Sequence, residues 1–290
     1  MTGPNPVVVG VDGTPGSELA LRWAVDDADT RGVPLRIITA YRWALTDPWA
    51  LHYDLRDPER ERLRHKAEHR LVDATRHAAD LRPGVHVECQ AVDGVAGQVL
   101  ISQSEHACVI VIGSRQLKAL GSAMLGSVSA AVAGRSHCPV VVVRGPAGDP
   151  AERAAVIVAV DGTEASEALL AVGFEHASRH RVPLRAVLCW RPDLLASMSW
   201  RSEPPPPERA ERWLAEATAG WREKYPEVQA TQAVTRAHPV DGLMAESAAQ
   251  FLLVVGTHSR HALAGTLLGS VAQGALHHAS CPVMVVPNHR

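Results

Sequence analysis

The sequence predicts an α/β protein of two tandem domains, each a doubly wound, five-stranded parallel sheet with strand order 3-2-1-4-5. Three observations predict it. The chain of 290 residues repeats itself once. Each half alternates short β-branched runs with segments of helical period. Aromatic residues are only 4% of the chain, so the core falls to Val, Leu, Ile and Ala, which suits parallel strands covered by helices on both faces.

The repeat is legible residue by residue. Val9-Gly-Val-Asp-Gly-Thr14 returns as Val158-Ala-Val-Asp-Gly-Thr163, 149 positions later, and Val33-Pro-Leu-Arg36 returns as Val182-Pro-Leu-Arg185. Near the end of each half the offset is 143: Val111-Ile-Gly-Ser-Arg115 matches Val254-Val-Gly-Thr-His258, Leu125-Gly-Ser-Val128 matches Leu268-Gly-Ser-Val271, and Cys138-Pro-Val140 matches Cys281-Pro-Val283. Such a period is the size of a whole domain, not of a solenoid unit. The expected domains are 1–147 and 148–290, joined through Gly145-Pro-Ala-Gly-Asp-Pro150. So short a join leads us to expect the halves to pack as an intramolecular pseudo-twofold dimer.

In the first half Val7–Val11 reads as a strand, and Thr14-Pro15 sets a capping hydroxyl before a proline at the first helical position. Ala20, Trp23, Ala24 and Ala28 recur at helical spacing until Gly32 and Pro34 stop the helix before the strand Leu35–Thr39. Leu63, Ala67, Leu71, Ala74 and Ala78 line one face of a charged helix, followed by a strand over Val85–Val92 and a short helix over Gly97–Glu105. Val109–Gly113 and Val140–Val143 are the last two strands, with a helix over Ser127–Arg135 between them. The second half follows the same order, with strands at Val156–Val160, Leu184–Cys189, Val228–Val234, Leu252–Gly256 and Val283–Val286. Order 3-2-1-4-5 places the most hydrophobic first and fourth strands centrally. It also puts a crevice beyond their carboxyl ends, where the chain reverses direction across the sheet.

Composition excludes several classes. A formal charge of -2 lacks the basic excess of a nucleic-acid binder. No apolar run nears membrane-spanning length and the start lacks a basic n-region, so no membrane association and a cytoplasmic location are expected. The five cysteines form no CxxC pair and read as reduced packing residues. Arg56–Arg70 interleaves six basic with four acidic residues and reads as a salt-bridged solvent face. His277 and His278 are adjacent rather than four apart and read as surface residues, and no metal site is expected. Pro204–Pro207 reads as a stiff connector before a helix face of Trp213, Leu214, Ala217 and Trp221; Trp190 and Trp200 precede it.

The first strand ends in Asp12-Gly13-Thr14 and the fourth in Gly113-Ser-Arg115, so both face one crevice; the loop after Gly113 leads to Gly126-Ser127, where a helix begins. Glycines and free amides at a helix N-terminus outline a phosphate cradle. With three lysines and no GxxxxGK[ST] or helix-opening GxGxxG, the chain is neither a P-loop NTPase nor a dinucleotide-binding domain.

The Val-Asp-Gly-Thr turn, and a glycine-rich loop running on to Cys-Pro-Val-Val-Val, resemble the universal stress protein family over almost the whole chain, twice. The resemblance implies Rossmann-like domains that bind ATP through G-x2-G-x9-G-[ST], which maps to Gly113, Gln116, Gly126-Ser127 and to Gly256, Ser259, Gly269-Ser270. The spacing is intact and the second glycine is replaced in both halves. By resemblance, Asp12 and Asp161 contact the nucleotide, and the backbones of Ala40 and Cys189 lie beside the adenine; a carboxylate is repelled by a triphosphate, so the ribose is the expected contact. Gly113, Arg115, Gly126, Ser127, Val128 and Ser129 in one half, and Gly256, Gly269, Ser270 and Val271 in the other, surround the phosphates, with Mg²⁺ carried on the phosphates. Lys118, His258 and Arg260 are further loop charges. Left open are a purely structural role for Asp12 as an Asx-type turn and N-capping roles for the serines. The family's last strands mediate dimerisation, which implies pairing of the two halves and leaves room for a homodimer. The implied function is that of a nucleotide-dependent stress regulator without a catalytic residue; the alternatives are a nucleotide-free interaction module and, less favoured, a slow ATPase or transferase.

Overall fold

The computed structural model describes residues 4–42, 58–116, 123–124, 126–144, 155–189, 207–248, 250–257 and 268–288. Contacts divide the chain into two units, 1–143 and 144–290.

In the first unit, β1 (Val7–Gly10) leads to α1 (Pro15–Arg31), β2 (Leu35–Tyr41), α2 (Pro58–Leu81), β3 (Val87–Asp93), α3 (Ala96–Gln103) and β4 (Val109–Gly113). Two short strands, β5 (Arg115–Gln116) and β6 (Ala123–Met124), precede α4 (Ser127–Arg135) and β7 (Val140–Val143). The main sheet has the order β3-β2-β1-β4-β7, all parallel. The second unit runs β8 (Val156–Val160), α5 (Ala165–His180), β9 (Leu184–Cys189), α6 (Pro207–Lys224), β10 (Ala230–Thr235), α7 (Pro239–Ser247), β11 (Leu252–Gly256), α8 (Ser270–His278) and β12 (Val283–Val286). Its order is β10-β9-β8-β11-β12, again parallel. Numbered within each unit, both sheets follow the expected 3-2-1-4-5.

Hydrophobicity explains this order. β1 and β4 are paired on both sides, and Val7, Val8, Val9, Val109, Ile110 and Val111 are fully buried. β3 stands at the end of its unit's sheet and carries Glu88, Cys89, Gln90 and Asp93, residues that a doubly covered strand would not hold. α1 turns Ala20, Leu21, Trp23, Ala24, Val25 and Ala28 inward. Thr14 caps it by accepting from the Ser17 amide at 3.3 Å, and Gly32 closes it at φ 65°. On α2 the same logic buries Ala67, Leu71 and Ala78, with Leu63 and Ala74 half-buried, and on α6 it buries Leu214 fully and leaves Trp213, Ala217 and Trp221 half-buried.

Four expectations are corrected. β3 and β10 start two residues later than the β-branched runs suggest. The amides of Val85 and Val228 are spent in turns, on the carbonyls of Arg82 and Tyr225, so those valines close the helix-to-strand turn instead of entering the ladder. The β5–β6 hairpin was not anticipated, because a two-residue strand leaves no periodicity. Cys89 is exposed because it lies on the end strand, whereas Cys138 and Cys281 are buried packing residues. Burial pushes the thiols of Cys138, Cys189 and Cys281 up to about 11.

α2 carries the expected ion pairs Arg62–Glu59, Arg64–Glu61 and Arg64–Glu68, and Arg60 reaches Asp93 on β3. Arg70, the last basic residue of the Arg56–Arg70 run, departs from that face, as described below. His277 and His278 are exposed. Among the described residues no helix is long and apolar enough to cross a membrane. Gly145–Pro150, Trp190, Trp200 and Pro204–Pro206 lie outside the described residues.

Candidate functional site

The carboxyl end of β1 turns through Asp12-Gly13-Thr14. Asp12 Oδ1 accepts from the Thr14 amide at 3.0 Å and from its hydroxyl at 2.6 Å, and Gly13 takes φ 79°, a left-handed conformation suited to glycine. Partial burial would raise the Asp12 pKa, but the Thr14 hydroxyl and amide, the Ser17 hydroxyl and the nearby Arg70 charge outweigh it and hold the carboxyl below its ordinary value. Asp12 is therefore ionised at neutral pH. The second unit repeats the turn: Asp161 Oδ1 accepts from the Thr163 amide at 3.0 Å, its hydroxyl at 2.6 Å and the Ser166 hydroxyl at 3.1 Å, with Gly162 at φ 77°. The Asx-type hydrogen bond weighed for Asp12 is thus present in both units, and it leaves the carboxylate exposed in the first and half-buried in the second.

Register aligns the neighbours of this turn. Gly10 pairs with Ile38 and Val9 with Val111, so Ala40 on β2 and Ser114 after β4 stand level with Asp12. The Thr39 hydroxyl donates to the Val11 carbonyl at 3.1 Å and ties β2 to the turn. In the second unit Val160 pairs with Leu188 and Val158 with Val254, setting Cys189 and Thr257 level with Asp161.

Gly113 has a role that the spacing did not reveal. A Cβ there would lie 2.1 Å from the Gly16 carbonyl oxygen, and one on Gly16 would lie 2.4 Å from the Ser114 carbonyl oxygen. The first turn of α1 therefore packs backbone to backbone on the end of β4, and glycine at 113 is required by that contact. In the second unit alanine stands at the position matching Gly16, and α5 starts only there, at Ala165.

The loop after β4 folds back as the β5–β6 hairpin, with Arg115 opposite Met124 and Gln116 opposite Ala123. Gln116, at the replaced glycine, is thus extended backbone that any residue adopts. Gly126 is the N-cap of α4 and Gly269 that of α8, and neither supplies a side-chain capping bond. First-turn amides at both helices are thus left to whatever lies in front of them. In the second unit the Gly269 amide donates to the Thr257 carbonyl at 2.7 Å, holding the start of α8 on the end of β11 at Gly256. Ser127 and Ser270 are exposed, Val128 and Val271 half-buried; Ser129 is buried, as is its counterpart Ala272. Lys118 and His258–Arg260 lie outside the described residues.

Sequence reasoning missed Arg70, which was read as part of the solvated face of α2. Its Nε, Cδ and Cγ lie 3.3, 3.7 and 3.9 Å from where a Gly13 Cβ would stand, so the side chain lies across the Asp12–Gly13 turn. Part of the helix-wheel signal was available, since Arg70 stands three residues after the buried Ala67.

Comparison with known proteins agrees with this architecture. The model of the universal stress protein family matches residues 4–144 and again 153–287. A universal stress protein of Mycobacterium tuberculosis is 34% identical over 287 residues, covering 96% of each chain. A second from the same species is 33% identical over 284 residues, covering 96% of this chain and 95% of that one. The crystal structure of a universal stress protein from Archaeoglobus fulgidus superposes with a TM-score of 0.75 at 18% identity, over 99% of this chain and 100% of that one. Two matches of one family model, each spanning one sheet with its Asp-Gly-Thr turn, place the chain in the universal stress protein family, as a tandem member.

Proposed function

We propose that this chain is an adenine-nucleotide-binding stress regulator that holds ATP at the carboxyl ends of β1 and β4, with the equivalent crevice of β8 and β11 as a second site. The observation that carries the reading is the combination, in both units, of an Asp-Gly-Thr turn in which the aspartate Oδ1 accepts from the threonine amide and hydroxyl, with a helix whose glycine N-cap supplies no side-chain bond. A carboxylate suits ribose hydroxyls, and open helix amides suit phosphate, so the two ends of a nucleotide find matching chemistry. Asp12 Oδ1 already accepts two hydrogen bonds, which suits sugar contact better than direct metal ligation, so Mg²⁺ would travel on the phosphates. The cytoplasmic role, the pairing of the two units and a homodimer belong to this proposal as its expected setting.

The reading assigns no general base, so occupancy, not turnover, is the signal. A nucleotide-free interaction module is the second reading, favoured by the replaced glycines at 116 and 259. Calorimetry with Mg-ATP on the full chain and on Gln116→Gly separates them. Because Gln116 is extended, the glycine variant should change ATP affinity less than about threefold, under 1 kcal/mol. Affinity that rises from undetectable to micromolar on that substitution would establish the native site as degenerate.

A further inference from the structure

The two sites are not equal, and the difference lies on the helices behind them. The offset of 143 that relates the ends of the units also aligns α2 with α6. Ala67 meets Ala210, Leu71 meets Leu214, Thr75 meets Thr218 and Pro83 meets Pro226. Ala67, Leu71, Ala210 and Leu214 are all buried, so the two helices present the same faces. In that register Arg70 corresponds to Trp213, and both are half-buried.

Arg70 is placed by packing on Gly13 and by the attraction of the Asp12 charge. Its stem lies across Gly13, beside the Asp12 carboxylate, yet among the described residues no hydrogen bond or ion pair engages its guanidinium. The neighbouring arginines differ: Arg60, Arg62 and Arg64 each hold a carboxylate. Asp12 meanwhile takes its close hydrogen bonds from Thr14. A cation with five donors thus stands open at the carboxyl end of β1, next to a carboxylate that would otherwise repel a phosphate. Arginine forms bidentate, charge-assisted bonds with phosphate oxygens, whereas an indole offers a flat apolar face and one donor.

We propose that Arg70 is the specificity-determining cation of the first site, taking a phosphate oxygen of the bound nucleotide, and that Trp213 leaves the second site without this preference for phosphate. The first site therefore selects polyphosphate, and the second binds adenosine and ATP more nearly alike. This rests on the adenine-nucleotide reading above.

The test is calorimetry on the full chain with ATP, adenosine and inorganic tripolyphosphate, for wild type, Arg70→Gln, Arg70→Lys and Trp213→Arg. Arg70→Gln is expected to weaken ATP and tripolyphosphate at one site about tenfold or more while leaving adenosine within about twofold. Arg70→Lys should restore part of the loss as a point charge, and Trp213→Arg should strengthen ATP at the weaker site. Unchanged thermal melting of Arg70→Gln will show that the loss is not one of folding. If Arg70→Gln shifts ATP and adenosine by the same factor, or neither, while wild type binds ATP, the inference falls and the nucleotide reading stands. Wild type that takes up none of the three probes overturns both.

Discussion

Replacing Gly113 by alanine tests whether the crevice is set by direct contact of two backbones. The added Cβ would stand 2.1 Å from the Gly16 carbonyl oxygen, 2.3 Å from its carbon and 2.8 Å from the Ser17 amide nitrogen. A carbon-to-oxygen contact needs roughly 3.3 Å, so the first turn of α1 must withdraw from β4 by about 1 Å. None of the three atoms belongs to a side chain that can rotate away, so the cost falls at the upper end of overpacking, about 3 kcal/mol. Two other glycines calibrate the effect. Gly32 has open space but φ 65°, so alanine there should cost about 1 kcal/mol. Gly84 has open space and no positive φ, so alanine there should be neutral or stabilise by up to about 1 kcal/mol. A two-domain chain does not unfold in one step, so the suitable assay is native-state hydrogen exchange read on peptides from α1 and β4. Loss of protection should rank Gly113→Ala, then Gly32→Ala, then Gly84→Ala. Equal protection in Gly113→Ala and Gly84→Ala would refute the backbone contact.

Other outcomes follow from the same geometry. Thr14→Ala removes both the α1 cap and the hydroxyl bond to Asp12, so α1 should lose about 1 kcal/mol and the Asp12 carboxyl should titrate higher, as read by NMR. In the wild type the folded pKa of Asp12 lies below its ordinary 3.8, so its contribution to stability is full above that value and fades as pH falls through the folded pKa. An Asp12 resonance titrating above 3.8 in the wild type would contradict this. At pH 8 a thiol reagent should modify Cys89 quickly, while Cys138, Cys189 and Cys281, near 11, react only after unfolding. Arg181 closes α5 at φ 53°, where Gly32 stands in the first unit, so Arg181→Gly should stabilise the second unit by about 1 kcal/mol and raise its melting by about 2 to 4 °C. A lowered melting temperature would show that the arginine side chain outweighs its backbone strain.

The fold was legible because its signals are local and repeated. Val109–Gly113, Val140–Val143, Val156–Val160, Leu184–Cys189, Leu252–Gly256 and Val283–Val286 have the ends that their β-branched runs suggest, and Thr14-Pro15 and Gly32 bound α1 as capping chemistry requires. Burial of the first and fourth strands carries the order of the sheet. Legibility failed where a contact joins residues distant in sequence. Gly16 and Gly113 meet across 97 positions with no side chain to announce it. Arg70 looked like its ion-paired neighbours because charge pattern alone does not say which arginine turns toward β1. The hairpin at Gln116 mattered most, since it makes the position of the replaced glycine extended backbone open to any residue.

Occupancy of these crevices by nucleotide is tested most directly by mass spectrometry of the small molecules released on denaturing the purified chain. With no nucleotide added during purification, the account predicts adenine nucleotide at one or two per chain, falling when Asp12→Ala and Asp161→Ala are introduced. Release of none, together with no calorimetric heat on adding Mg-ATP to the stripped protein, would contradict it.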